Sequence, residues 1–117
     1  WTILDITYVL SVPHGVRFKA VVGDEFAGFA AAEIRHNERS GWISTIAVMP
    51  RFRNLGIGSA LLAACEAQNS YPRSCLSVNI NNQTAISLYR KAGYRKTDVW
   101  KDYYQNGDDA LIMEKFL

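Results

Sequence analysis

Gly56 and Gly58 stand two residues apart in RFRNLGIGSALLAACEA, residues 51–67, between Arg51 and Arg53 on one side and an apolar run at helical spacing on the other. Glycine removes the side chain where a ligand must approach the backbone closely. The free amides at a helix start, together with the positive end of the helix dipole, suit a bound anion. On these residues alone, an ordinary turn into a helix is the commoner reading.

What is missing narrows the chemistry. No lysine followed by serine or threonine comes after Gly58, so the loop is not a P-loop, and GIGSAL lacks the third glycine of a dinucleotide fingerprint. A pyrophosphate held by amides, with neither a lysine nor a magnesium-binding hydroxyl, fits coenzyme A better than ATP. Other residues of interest are Asn82 and Tyr89 in NQTAISLYRKAGY, and Tyr103 with Tyr104 in WKDYYQNGDD.

Composition sets limits around these candidates. A chain of 117 residues with 49% apolar content can bury one core, so a single domain over 1–117 is expected. No apolar run reaches the roughly 20 residues of a membrane span, and WTILDITYVL lacks the basic region and cleavage site of a secretory signal. A cytoplasmic protein is the expectation, with no membrane partner. The formal charge of +2 is small and its basic residues are dispersed, which argues against a nucleic-acid partner. Cys65 and Cys75 read as reduced thiols, and two cysteines without a histidine pair make a poor zinc site, so no metal is expected.

The elements that must position these residues follow from periodicity and punctuation. Leu4, Ile6, Val9 and Leu10 are spaced as one face of a short helix ending at Pro13, His14 and Gly15. VRFKAVV and FAGFAAAEIR, separated by GDE, form an antiparallel hairpin, and WISTIAVMP is a third strand stopped by Pro50. A helix follows through Ile57, Leu61, Leu62 and Cys65 to about Asn69, then the β-rich CLSVNI. Asn82 caps a second helix and Gly93 ends it; YRKTDVWKDY and ALIMEKFL are the last two strands. The fold class is α+β, with a mixed but mostly antiparallel sheet flanked by helices.

IAVMPRFRNLGIGSALL resembles the acyl-CoA-binding motif of the GNAT acetyltransferase superfamily, through the RxxGxG spacing of Arg53, Gly56 and Gly58. NQTAISLYRKAGY is similar to the superfamily's second hallmark, and WKDYYQNGDDALIMEKFL looks like the end of protein N-terminal acetyltransferases, including the ribosomal-protein alanine group. The resemblance covers about residues 16–117. It implies a GNAT fold and transfer of acetyl from acetyl-CoA to a primary amine, most simply the α-amine of a protein or peptide N-terminus. A small-molecule amine as acceptor, or a non-catalytic acyl-CoA-binding module, are the alternatives.

Residue by residue, the resemblance gives Ile46, Ala47 and Val48 the pantetheine arm. It gives Arg53, Asn54, Leu55, Gly56, Ile57, Gly58 and Ser59 the pyrophosphate. Asn82 would hydrogen-bond the cofactor, although capping alone explains it, and Tyr89 would be the general acid, although a core aromatic explains it equally. Tyr103 and Tyr104 would touch the acceptor or else cover the sheet end. Two departures stand out. Ser77 occupies the place where relatives carry a glutamate or histidine base, leaving an ordered water or Glu33 to take the proton. Only about fifteen residues precede VRFKAVV, so the superfamily's first strand and first helix are expected to be missing, and the exposed edge favours a homodimer.

Overall fold

The computed structural model describes residues 4–12 and 15–117. Seven strands and two helices follow one another as β1 (Leu4–Val12), β2 (Gly15–Val22), β3 (Glu25–Arg35), β4 (Ser40–Val48), α1 (Ile57–Gln68), β5 (Arg73–Asn79), α2 (Gln83–Lys91), β6 (Arg95–Trp100) and β7 (Ala110–Phe116). They form one sheet in the order β1-β2-β3-β4-β5-β7-β6, in which only the β4–β5 pair is parallel.

Local chemistry places the boundaries. A left-handed Gly23 (φ 62°) turns β2 into β3. After β4, the Met49 amide bonds the Ala27 carbonyl at 2.8 Å, and Pro50 then opens a short 3-10 turn whose Phe52 is buried. The Asn82 side chain accepts from the Ala85 amide at 3.1 Å to cap α2, and Gly93 (φ 104°) releases the chain toward β6.

Both helices lie on one face of the sheet. Ile57, Leu61, Leu62 and Cys65 of α1 join Ile86 and Tyr89 of α2, together with Phe18, Ala30, Ile43, Leu76, Val78, Leu111 and Met113 from the strands, in a single core. Strand register puts Arg17, Lys19, Phe29, Glu33, Trp42, Cys75, Ser77 and Ile112 on the opposite face, where no described helix packs.

The helix expected over the first residues is a strand. Ile6 lies opposite Ala20 and Tyr8 opposite Phe18, with the Tyr8 and Phe18 rings edge to face at 5.6 Å. The expectation of a missing first strand is therefore corrected: β1 is present and connects to β2 through residues 13 and 14, leaving no room there for a helix. Trp1 and the turn expected at Pro13 and His14 lie outside the described residues. The free edges of the sheet are β1 and β6 rather than β2.

Candidate functional site

The parallel ladder between β4 and β5 runs from Ser40 opposite Arg73 to Ile43 opposite Leu76 and stops there. Both strands continue, β4 to Val48 and β5 to Asn79, while β4 stays paired to β3 through Gly28 opposite Val48. The sheet therefore opens at the carboxyl ends of its two parallel strands, and the β5-facing backbone of residues 44–48 has no ladder partner. Such an opening is where α/β sheets take their ligands. Ile46 and Val48 pack their side chains against the core, while Ala47 pairs with Phe29 on the helix-free face.

The glycine loop follows directly. Arg53 reaches back with its Nε to the Val48 carbonyl at 3.3 Å, tying the loop to the strand end. Asn54 (φ 65°) and Gly56 (φ 78°) adopt left-handed conformations, and Leu55 is exposed. Gly56 begins α1 with no side-chain cap, so the amides of Ile57, Gly58 and Ser59 have no intrahelical acceptor. A Cβ built on Gly56 meets nothing within 4 Å, so the space over the loop is open to a ligand. Gly58 serves packing, because its Cβ would sit 3.3 Å from Leu88 Cδ2, which seats the first turn of α1 against α2.

That contact brings α2 alongside the cradle. Tyr89, the neighbour of Leu88, is 8% exposed, and its ring meets that of Tyr94 edge to face at 6.0 Å. Burial raises the Tyr89 phenol above its ordinary pKa, with further contributions from Tyr104 and Cys65. It is held as a proton donor. No described side chain hydrogen-bonds its hydroxyl. Tyr94 is fixed behind it: its hydroxyl is 2.7 Å from both Ser74 Oγ and Glu66 Oε2, and Lys115 joins Glu66 at 3.2 Å. Sequence reasoning missed this network, and only the polar tip on a buried aromatic hinted at it.

Ser77 lies on the helix-free face of β5, opposite Ile112 of β7. Trp42 of β4 and Trp100 of β6 stack with centroids 6.1 Å apart, although β5 and β7 separate their strands. Their indoles therefore meet above β5 and β7, which explains why Cys75 and Ile112 are buried on a face without helices. Trp42 Nε1 is buried with no acceptor among the described residues. Tyr103 packs on Trp100 at 5.4 Å and on Tyr104 at 5.1 Å, so the loop tyrosines join the same aromatic group.

The structure places the glycine loop and Tyr89 on the helix-covered side of the sheet and Ser77 with Tyr103 on the helix-free side, with Glu33 two strands from Ser77. That carboxylate lies on β3 opposite Trp42, bonded at 2.8 Å to Arg35, whose guanidinium sits 4.3 Å over the Trp42 ring. Asn82 is the α2 cap, and its side-chain oxygen is occupied by that role. Cys65 and Cys75 are free and buried, and burial raises the Cys65 thiol to about 11. Among the described residues, no three histidine, cysteine or acidic side chains cluster as metal ligands, and no helix is long and apolar enough to cross a membrane.

A split parallel pair, an uncapped glycine-led helix and a buried phenol on the following helix are the features of this end of the sheet. Residues 2–94 match the Acetyltransferase (GNAT) family, and the chain belongs to that family. It is 39% identical over 80 residues to an N-alpha-acetyltransferase of Sulfurisphaera tokodaii, covering 64% of this chain and 47% of that protein; the chain spans about half the length of such relatives. Arabidopsis thaliana Naa50, solved with the bisubstrate analogue CoA-Ac-MVNAL, superposes with a TM-score of 0.78 at 28% identity, covering 86% of this chain and 72% of that one. The ribosomal-protein-S18-alanine N-acetyltransferase of Escherichia coli gives 0.75 at 26%, covering 89% and 70%.

Proposed function

We propose that this chain transfers the acetyl group of acetyl-CoA to the α-amine of a protein or peptide N-terminus. The observation that carries the reading is the opening of the β4–β5 ladder beyond Ile43 and Leu76, directly before the uncapped start of α1. The protein N-terminal acetyltransferases among its relatives, and the CoA–peptide analogue held by Naa50, support the acceptor class.

The residues fit the donor. Backbone at Ile46, Ala47 and Val48 is available to pair with an extended pantetheine arm as an added strand would. The amides of Ile57, Gly58 and Ser59, reached over the open Gly56, suit a pyrophosphate, with Asn54 and Leu55 shaping the loop and Arg53 pinning it. Bound acetyl-CoA supplies the activated thioester. Tyr89 holds the proton that the departing thiolate needs. On the opposite face, Ser77 stands where the amine arrives. A serine hydroxyl is no base at neutral pH, but an α-amine of pKa about 8 is already partly neutral there, and an ordered water held by Ser77 completes the transfer of its proton. Tyr103 and Tyr104 wall the acceptor side. The reaction needs no metal and no nucleic acid, and the sheet edge at β1 offers a strand through which two copies pair.

The test has two stages. Acetyl-CoA is expected to raise the melting temperature, and thiol release is expected with N-terminal peptides in preference to small amines. Stabilisation without release identifies a binding module instead. Release with small amines alone identifies a small-molecule acetyltransferase. Light scattering over a concentration series reads the pairing at β1, and a monomeric mass throughout refutes it.

A further inference from the structure

On the helix-free face, the aromatic rings form a continuous row. Tyr104 meets Tyr103 at 5.1 Å; Tyr103 meets Trp100 at 5.4 Å; Trp100 stacks on Trp42 at 6.1 Å; and the Arg35 guanidinium closes the row 4.3 Å over Trp42. The row crosses the face that carries Ser77. It is open to solvent along part of its length, with Tyr103 51% and Trp100 37% exposed. Several charged groups along it are engaged. Arg35 pairs with Glu33 and Glu38, Lys101 with Asp109, and the Asp98 carboxylate accepts from Trp100 Nε1 at 3.2 Å. An incoming chain meets ring faces and edges there.

We propose that this row is the acceptor track, and that Trp100 and Trp42 select polypeptides with apolar side chains in the residues that follow the first. The inference rests on the acetyl-transfer reading above and deepens it. An extended chain advances roughly 3.3 Å per residue, so each step of the row, 5.1, 5.4 and 6.1 Å between ring centroids, is spanned by about two residues. Aromatic rings contribute contact area at small conformational cost. Specificity on this track therefore comes from side chains that cover the rings, and acidic or short acceptors lose it.

The test compares three acceptors at saturating acetyl-CoA: Ala-Leu-Val-Leu-Gly amide, Ala-Asp-Ser-Asp-Gly amide and Ala-Leu amide. For the unaltered protein, kcat/KM is expected to be at least about tenfold higher for the apolar pentapeptide than for the other two, which corresponds to about 1.4 kcal/mol. In Trp100→Ala and Trp42→Ala that ratio is expected to collapse toward one. In Trp100→Phe and Trp42→Phe it is expected to recover to within about twofold of the original. Using a ratio within each variant cancels any loss of folded protein, and acetyl-CoA-induced stabilisation confirms that each variant is folded. Equal rates for all three acceptors in the unaltered protein overturn the track while leaving acetyl transfer intact. An unchanged ratio in the alanine variants also overturns it. Stabilisation by acetyl-CoA without thiol release from any acceptor overturns the transfer reading and the track with it.

Discussion

Asn79, the last residue of β5, donates its side-chain amide to the Asp108 carboxylate at 2.9 Å, joining the strand that carries Ser77 to the loop that carries Tyr103 and Tyr104. Asn106 adds a second bond to the same carboxylate at 3.0 Å, and the Tyr104 amide bonds the Asp108 carbonyl at 3.1 Å. The bonds from Asn79 and Asn106 hold the Asp108 carboxyl below its ordinary pKa of 3.8. A depressed carboxylate contributes its tie fully above that value and loses it as the pH falls below. Asn79→Ala and Asp108→Ala are expected to raise KM for peptide acceptors several-fold while leaving stabilisation by acetyl-CoA in place. Hydrogen exchange of residues 101–109 checks the cause: both variants are expected to lose protection there at neutral pH.

The glycines of the sheet and the loop separate packing from ligand access. A Cβ at Gly28 would lie 2.7 Å from the Ala47 carbonyl oxygen, a backbone atom that cannot swing away. Gly28→Ala is expected to cost about 1–3 kcal/mol of stability, as overpacking does. At Gly56 the added methyl meets no protein atom, but φ is 78°, a conformation that costs an alanine roughly 1–2 kcal/mol. Gly56→Ala is therefore expected to weaken acetyl-CoA binding more than its stability loss explains, read by calorimetric titration beside thermal melting.

The glycine cradle and both helices are legible in the sequence because their punctuation is local. Pro50, Gly56, Asn82 and Gly93 act within a turn of where they stand, and strand order does not alter them. The first strand was hidden by its own irregularity. Its register shifts between Tyr8 and Leu10, which breaks the two-residue period and leaves apolar residues at 6, 9 and 10, a spacing that imitates a helix. The alternation of Leu4, Ile6 and Tyr8 was the better guide. The stack of Trp42 on Trp100 has no local signature, because it forms across β5 and β7 between strands that are distant in sequence. The isolation of Glu33 is hidden for the same reason: its distance from Ser77 depends on which strand lies between them.

Tyr89 is the residue whose removal separates chemistry from binding. Tyr89→Phe keeps the ring that packs against Tyr94 and loses only the hydroxyl, so stabilisation by acetyl-CoA is expected to persist. Loss of a general acid is worth about 10²–10⁴-fold, and kcat is expected to fall by that order. The pH profile carries the sign. Activity rises as the α-amine loses its proton near pH 8, and because burial raises the Tyr89 phenol above 10, the plateau is expected to extend past pH 10 before falling. In Tyr89→Phe that alkaline fall is expected to disappear.

Ser77→Glu tests the other side of the reaction. A carboxylate at this position would stand on the helix-free face opposite Ile112, beneath the meeting of Trp42 and Trp100, so partial burial raises its pKa above the ordinary value of about 4.3. A carboxylate is ionised over a range of pH in which the acceptor is still an ammonium. In the unaltered chain, rate on the acid side follows the fraction of amine already neutral, and its limb sits near pH 8. With the new carboxylate taking the proton in the site, the limb is expected to move to lower pH and to follow the glutamate instead of the amine. Ser77→Gln, equal in size and without a titrating proton, is expected to leave the limb where it was. Profiles of kcat/KM for the three proteins, taken on one peptide acceptor, make the comparison, and a limb unmoved by glutamate would place Ser77 away from the reacting amine.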